Sequence, residues 1–251
     1  MKKKHKIGIA LSGGGVRGFA HLGVLKALNE KGVFPDLISG TSAGAIAGAF
    51  YASGKSPDEI FRIFKEKGLM GYTRIHLPVD GLLNLEGLRK NLKKQLGIND
   101  LKDLKTPCYI AVTNLNKGIV EYFNEGPAEQ IILASSSIPI LFSPIKIGNS
   151  SYADGGLFDN MPVTPLINKC EKIIGVNATP IQDTDKLDNL IQIGLRIFHL
   201  NTYTHTVAGK NHCDIFIEPT ELIQYEILQM KHAEKIFDIG YEYAKKMNIE
   251  I

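Results

Sequence analysis

Cysteine is scarce: the chain of 251 residues has three, Cys108, Cys170 and Cys213. They are odd in number, widely spaced and without a C-x-x-C pair, which excludes a disulfide framework. Each lies in an apolar, strand-like or helix-end setting. That predicts buried free thiols and suits a reducing, cytoplasmic compartment. Long apolar runs are missing too. None reaches the ~18 residues of a membrane span, so no spanning helix is expected. The run Ile7–Leu11 is too short for the core of a signal peptide and is cut off by Gly13–Gly15 and Arg17. Excess charge is also lacking. The net charge is +3, so the basic face of a nucleic-acid binder is not expected. The one dense cluster, Lys2, Lys3, Lys4, His5 and Lys6, reads as a solvated tail over residues 1–6. A sharper reading of it is weak attraction to anionic lipid, a peripheral contact with a membrane surface. No repeat, low-complexity segment or linker divides residues 7–251, which read as one domain.

Glycine, by contrast, is in excess. The chain has 25, roughly seven more than the ~7% average usage predicts. They follow no three-residue period, and 44% of the chain is apolar, so neither collagen nor disorder accounts for them. Where they sit is therefore informative.

Residues 6–12 read as a buried strand, and Gly13–Gly18 interrupts it. Residues 19–31 follow with helical spacing of Phe19, Leu22, Leu25 and Leu28, and Gly32 stops them. A second strand over 35–39 leads through Gly40 into a helix of small residues, 43–53. This β-turn-α-β-turn-α opening is the pattern of an α/β protein, a parallel sheet with covering helices. Ser56 and Glu59 form a capping box for a helix over 57–67. Residues 69–83 read as loop and Leu85–Leu96 as a helix. The segments 108–114 and 119–123 form a hairpin around Asn116–Gly118. Further helices are expected over 127–136, 162–169, 186–208 and 224–247, further strands over 172–177 and 213–217, and an irregular stretch over 139–150.

Gly40-Thr41-Ser42-Ala43-Gly44 fits G-x-S-x-G between a strand and a helix, the context of a nucleophile elbow. The chain must turn sharply there, so side chains flanking the serine are absent. Ser42 then stands at a helix N-terminus, where developing negative charge is favoured. Gly13-Gly14-Gly15-Val16-Arg17-Gly18 is a second strand-to-helix loop. Its backbone N–H groups suit an oxyanion, and Arg17 adds positive charge or anchors the loop. The same residues satisfy the dinucleotide fingerprint G-x-G-x-x-G. That reading needs an acid closing the next strand, whereas Asp36 opens it. A Walker loop fails because Ala49 stands where its first glycine is required. Among seven histidines, His5, His21, His76, His199, His205, His212 and His232, none has a glycine-rich frame, and His199, His205, His212 and Cys213 lack metal-ligand spacing. Asp154, before Gly155 and Gly156, is the better base, if burial raises its pKa enough to take the Ser42 proton; its plain alternative is an Asp-Gly turn.

The three motifs, in this order, resemble the bacterial patatin-like phospholipases. Ala134-Ser135 with Pro139 and Pro144, and Asn160 with Pro162 after the aspartate, extend the likeness, which spans residues 13–162. The resemblance implies a single three-layer α/β/α domain with a mostly parallel sheet. It implies a Ser-Asp dyad with Ser42 as nucleophile and Asp154 as base. Gly13, Gly14 and Gly15 would form the oxyanion hole with Arg17 in support, and Gly18, Gly40, Gly44, Gly155 and Gly156 would be the motif glycines. The implied substrates are fatty-acyl esters of phospholipids, lysophospholipids and simple alcohols, hydrolysed with no metal or other cofactor. Candidate walls for an acyl chain are Phe50, Tyr51, Leu82, Leu83, Leu141 and Phe142. Residues 69–83, with Gly68, Gly71 and Gly81 as pivots, are a candidate lid.

Overall fold

The computed structural model describes residues 5–67, 85–184, 187–227 and 229–249. Five strands run parallel in the order β3 (Cys108–Asn114), β2 (Leu37–Thr41), β1 (His5–Leu11), β7 (Cys170–Val176) and β8 (Ile215–Ile217). Three antiparallel pairings add β4 (Ile119–Phe123) to β3, β6 (Ser150–Asp154) to β3, and β5 (Ile145–Ile147) to β6. The sheet is thus mixed, with the parallel part at its centre.

Alternation along the central strands explains the layers. On β1, Ile9 and Leu11 enter one apolar core, while Ala10 faces a second. On β2, Ile38 and Leu37 divide in the same way. Strands buried on both faces lose the polar alternation of a half-exposed sheet, which is why they read as apolar runs. The larger core lies beneath α1 (Phe19–Glu30), α2 (Ala43–Ala52), α5 (Ala128–Ser135) and α7 (Ala233–Lys246). Beside them stand α3 (Pro57–Lys67) and α4 (Glu86–Gln95). The second face is covered by the turns around Met161–Ile167 and by the C-terminal end of α6 (Leu190–Lys210).

The capping box forms as expected: Glu59 accepts from the Ser56 N–H at 2.8 Å and the Ser56 hydroxyl accepts from the Glu59 N–H at 3.3 Å. Four expectations need correction. His5 and Lys6 belong to β1 and not to a tail, because Asp36 accepts from the Lys6 and Ile7 N–H groups and aligns the strand start. Residues 162–169 form turns and no helix: Pro162 and Pro165 lack N–H donors, and Asn168 sits at φ 62°. Within 139–150, β5 folds back on β6. The last helix starts at Ala233, after two short 3-10 turns at Thr220–Gln224 and Met230–His232. The candidate lid, with His76, Leu82 and Leu83, lies outside the described residues.

One detail of register positions the site. β2 pairs with the first part of β3, with Thr41 opposite Ala111. β6 pairs with the last part, with Asp154 opposite Val112. β4 pairs along Ile110–Asn114 and therefore takes the other edge. So β2 and β6 share one edge of β3 and run toward each other. Their C-terminal ends meet at adjacent β3 residues, where Ser42 and Asp154 sit.

Candidate active site

Ser42 leaves β2 at φ 53°, ψ −119°, a conformation that costs a residue with a Cβ ~1–3 kcal/mol. Three features hold it. A side chain on Gly40 would run into the Gly44 carbonyl, and one on Gly44 into the Leu11 carbonyl, so the turn closes only without them. The Ser42 N–H donates to Ser135 Oγ at 2.9 Å, and that hydroxyl donates to the Ala111 carbonyl at 2.7 Å. The Ser42 carbonyl accepts the first helical bond of α2 from Ile46. Ser135 is thereby a clamp between the elbow and β3, which explains the alanine-serine pair seen in the sequence.

Asp154 is 2% exposed. Its N–H donates to the Ser137 carbonyl and its own carbonyl accepts from the Thr113 hydroxyl, so its backbone is fixed on both sides. Oδ1 accepts from the Gly156 N–H at 2.8 Å, in the turn Gly155–Leu157. Oδ2 is buried and has no partner at hydrogen-bond geometry, although the Ser42 hydroxyl faces the carboxyl closely enough to favour its ionised form. Burial dominates and pushes the Asp154 pKa up to about 7, against the opposing pull of Ser42 and the Gly156 N–H.

The glycine loop forms the facing wall. The Gly13 N–H is already engaged, donating to Asn160 Oδ1 at 3.1 Å. Asn160 Nδ2 in turn donates to the hydroxyls of Thr206 (2.8 Å) and Thr179 (3.2 Å). The Gly14 and Gly15 N–H groups donate no hydrogen bond among the described residues. Arg17 is an anchor: its guanidinium donates to the carbonyls of Tyr225 (2.7 Å), Ile223 (3.1 Å) and Pro180 (3.4 Å), and burial lowers its pKa to about 10. It pins the loop to the C-terminal segment.

Ser42, Asp154 and Gly13–Gly15 line one cleft, with Asn160 beside them. Its remaining wall comes from Ile138, Leu195, Phe198, Ile227 and the polar Thr179, His199 and Thr202. Of the walls expected from sequence, Phe50 is fully buried against Phe64, and the Tyr51 hydroxyl donates to Asn29. Leu141 and Phe142 pack behind Ile138, Leu195 and Phe198. The residues missed are those of α6. Leu195, His199 and Thr202 share one helical face, but α6 is apolar on several sides, so its inward face was not legible.

Among the histidines, only His199 lines the cleft in the described residues. Its Nε2 is buried without a partner, and burial, aided by nearby Arg17 and Arg196, lowers its pKa to about 4. His21 is sealed beneath the loop with Nε2 on the Ser12 carbonyl at 2.8 Å. Among the described residues no His, Cys, Asp and Glu group is arranged to hold a metal ion. Asp36, which a dinucleotide site would require at the loop end of β2, instead caps the start of β1. Burial pushes the Cys108 and Cys213 thiols up to about 12.

A mixed α/β sheet carrying a serine elbow against a buried aspartate and a glycine loop defines the class of the molecule. Residues 9–167 match the family model described as patatin-like phospholipase, and the chain belongs to that family. It is 27% identical to the lysophospholipase NTE1 of Saccharomyces cerevisiae, over 95% of this chain and 16% of that protein. It is 26% identical to the lysophospholipase NTE1 of Kluyveromyces lactis, over 95% of this chain and 19% of that protein. The chain thus spans less than a fifth of these relatives. In fold it is similar to VipD from Legionella pneumophila, with a TM-score of 0.54 at 16% identity, covering 96% of this chain and 66% of that one.

Proposed function

We propose that the chain is a serine lipid acyl hydrolase that cleaves fatty-acyl esters through an acyl-Ser42 intermediate. The observation that carries this reading is the convergence of a strained serine and a buried carboxyl of raised pKa at one strand junction, beneath two N–H groups without partners. Ser42 Oγ attacks the ester carbonyl while Asp154 takes its proton. The Gly14 and Gly15 N–H groups receive the oxyanion; Gly13 holds the loop through Asn160, and Arg17 supports it from behind. The alcohol leaves with the proton from Asp154. Water, deprotonated by Asp154, then releases the fatty acid.

Electrostatics supports aspartate over histidine as base. Burial raises an acid and lowers a histidine, so here Asp154 near 7 holds a proton more strongly than His199 near 4. The usual order of basicity is inverted within one cleft. Ile138, Leu195, Phe198 and Ile227 offer an apolar wall for the acyl chain. Lysophospholipids are the first substrates to test, since the relatives above are named for them, and the enzyme works in peripheral contact with a lipid surface in the cytoplasm.

Fluorophosphonate labelling and a hydrolysis panel of lysophospholipids, diacyl phospholipids and simple esters test the assignment. Ser42→Ala is expected to abolish labelling and to lower turnover at least ~10³-fold. Labelling of the variant at the parent's rate would overturn it.

A further inference from the structure

Among the described residues, the exposed large apolar side chains are unevenly placed. Seven of twelve, from Leu187 to Val207, lie on α6 or just before it, and two more, Ile140 and Phe158, lie beside it. On α6 the exposed Leu190, Ile193, Ile197, Leu200, Thr204 and Val207 recur three or four residues apart, which lines them along one face. Leu190 is 85% and Ile197 62% exposed. The opposite face carries Leu195, His199 and Thr202 into the cleft beside Ser42 and Asp154. One helix therefore walls the cleft and presents an apolar stripe to the outside.

Two further observations bear on what meets this stripe. Along its length α6 has no Asp or Glu, and its only full cations are Arg196 and Lys210. Ile140 is held at φ 75°, a genuine outlier for a β-branched residue. Its side chain reaches over α6 at Gly194, where an added Cβ would collide with it, and is 46% exposed. Strain of this kind persists where the surroundings enforce it, and it marks functional surfaces. Here it extends the apolar rim at the cleft wall.

We infer that the outer face of α6, together with Ile140, seats the protein on a lipid surface, with the cleft wall dipped toward the headgroup layer. The inference rests on the function proposed above, since a lipid hydrolase must draw its substrate from such a surface. An apolar helix face without carboxylates is suited to lie in the boundary between headgroups and chains. It is also compatible with anionic lipid, whose negative potential would repel an acidic face.

Flotation with phosphatidylcholine vesicles, with and without phosphatidylglycerol, tests this on the full chain. Parent and Ser42→Ala are expected to float alike, because the stripe and not the nucleophile binds. Leu190→Glu combined with Ile197→Glu should weaken vesicle binding about tenfold or more per position. It should leave hydrolysis of a soluble short-chain ester unchanged. Phe34→Glu changes a side chain about as exposed (59%) as Ile197, before the N-terminal end of β2 and so at the end of the sheet opposite the cleft, and should float like the parent. A parent that hydrolyses the soluble ester but does not float overturns the surface while sparing the proposed function. Equal flotation of the double variant overturns it too. So does a dimer that the double variant dissociates without any flotation, which would give the stripe to a second copy. A parent that floats by the stripe but never hydrolyses an ester supports the surface and removes the proposed chemistry.

Discussion

The cleft has two unlike walls. One is the junction of β1, β2 and β6, where the groups that hold the frame are tied down, Ser42 by Ser135, Asp154 by Ser137 and Thr113, Gly13 by Asn160 and Arg17 by three carbonyls, while Asp154 Oδ2 and the Gly14 and Gly15 N–H groups keep no partner among the described residues. The other is α6, which supplies apolar side chains and a histidine whose Nε2 has no hydrogen-bond partner. The first wall is written in short, glycine-punctuated motifs because a strained turn tolerates few residue types. The second is an ordinary helix, whose many sequences pack equally well. The proposed function puts the reaction chemistry on the constrained wall and the handling of substrate on the permissive one.

Exchanging groups on each wall tests that division. The largest effect is expected from Asp154→Asn. Turnover should fall ~10³–10⁴-fold, as for other members of a nucleophile-base set. The parent's kcat/KM should rise with pH through about 7 as Asp154 loses its proton, and this limb should vanish in the variant. The stability effect has the opposite sign. The folded-state pKa of about 7 lies above the usual 3.8, so the folded state holds the proton more tightly. This group therefore lowers stability progressively as pH rises from about 4 to 7, and its full cost is present above that. Asp154→Asn, which still accepts from Gly156, should be more stable than the parent by ~2–4 kcal/mol at pH ~8. At pH ~5 the gap should be much smaller. Thermal unfolding at both pH values measures it, and a gap that does not grow with pH would contradict a buried, proton-hungry Asp154.

Ser135→Ala probes the same wall more gently. It leaves the Ser42 N–H and the Ala111 carbonyl without their shared hydroxyl, a loss of ~1–3 kcal/mol. Fluorophosphonate labelling should slow about 10- to 100-fold as the elbow loosens, and Ser135→Thr should restore part of it. The smallest effect is expected on the permissive wall. His199→Gln should change kcat by less than about tenfold and leave the rise through pH ~7 in place. A loss as deep as that of Asp154→Asn would move the base to His199 and erase the contrast between the walls.

The motif residues were legible because their constraints are local. Gly40 and Gly44 have no side chains where the turn closes on itself, and Ser42 lies between them whatever the rest of the chain does. Likewise Ser56 and Glu59 cap their helix within four residues. The failures were of two kinds. At 162–169 a helix was expected, but Pro162, Pro165 and Asn168 set a turn. On α6 the helix was expected, but several of its sides are apolar, so periodicity did not say which meets the cleft.

By itself the sequence determined the strands that build the parallel centre and the glycine frames beside Ser42 and Asp154, because each depends on steric rules that act over a few residues. Only the tertiary structure decided that β2 and β6 meet end to end on one edge of β3, since two separate pairings with β3 bring together Ser42 and Asp154, which lie more than a hundred positions apart in the sequence. It also decided which loop N–H groups are free: Asn160 takes Gly13 and leaves Gly14 and Gly15. Finally, it set the order of proton affinity in the cleft. Here a carboxyl and an imidazole exchange their usual ranks chiefly because both are buried, and burial is a property of the packed molecule.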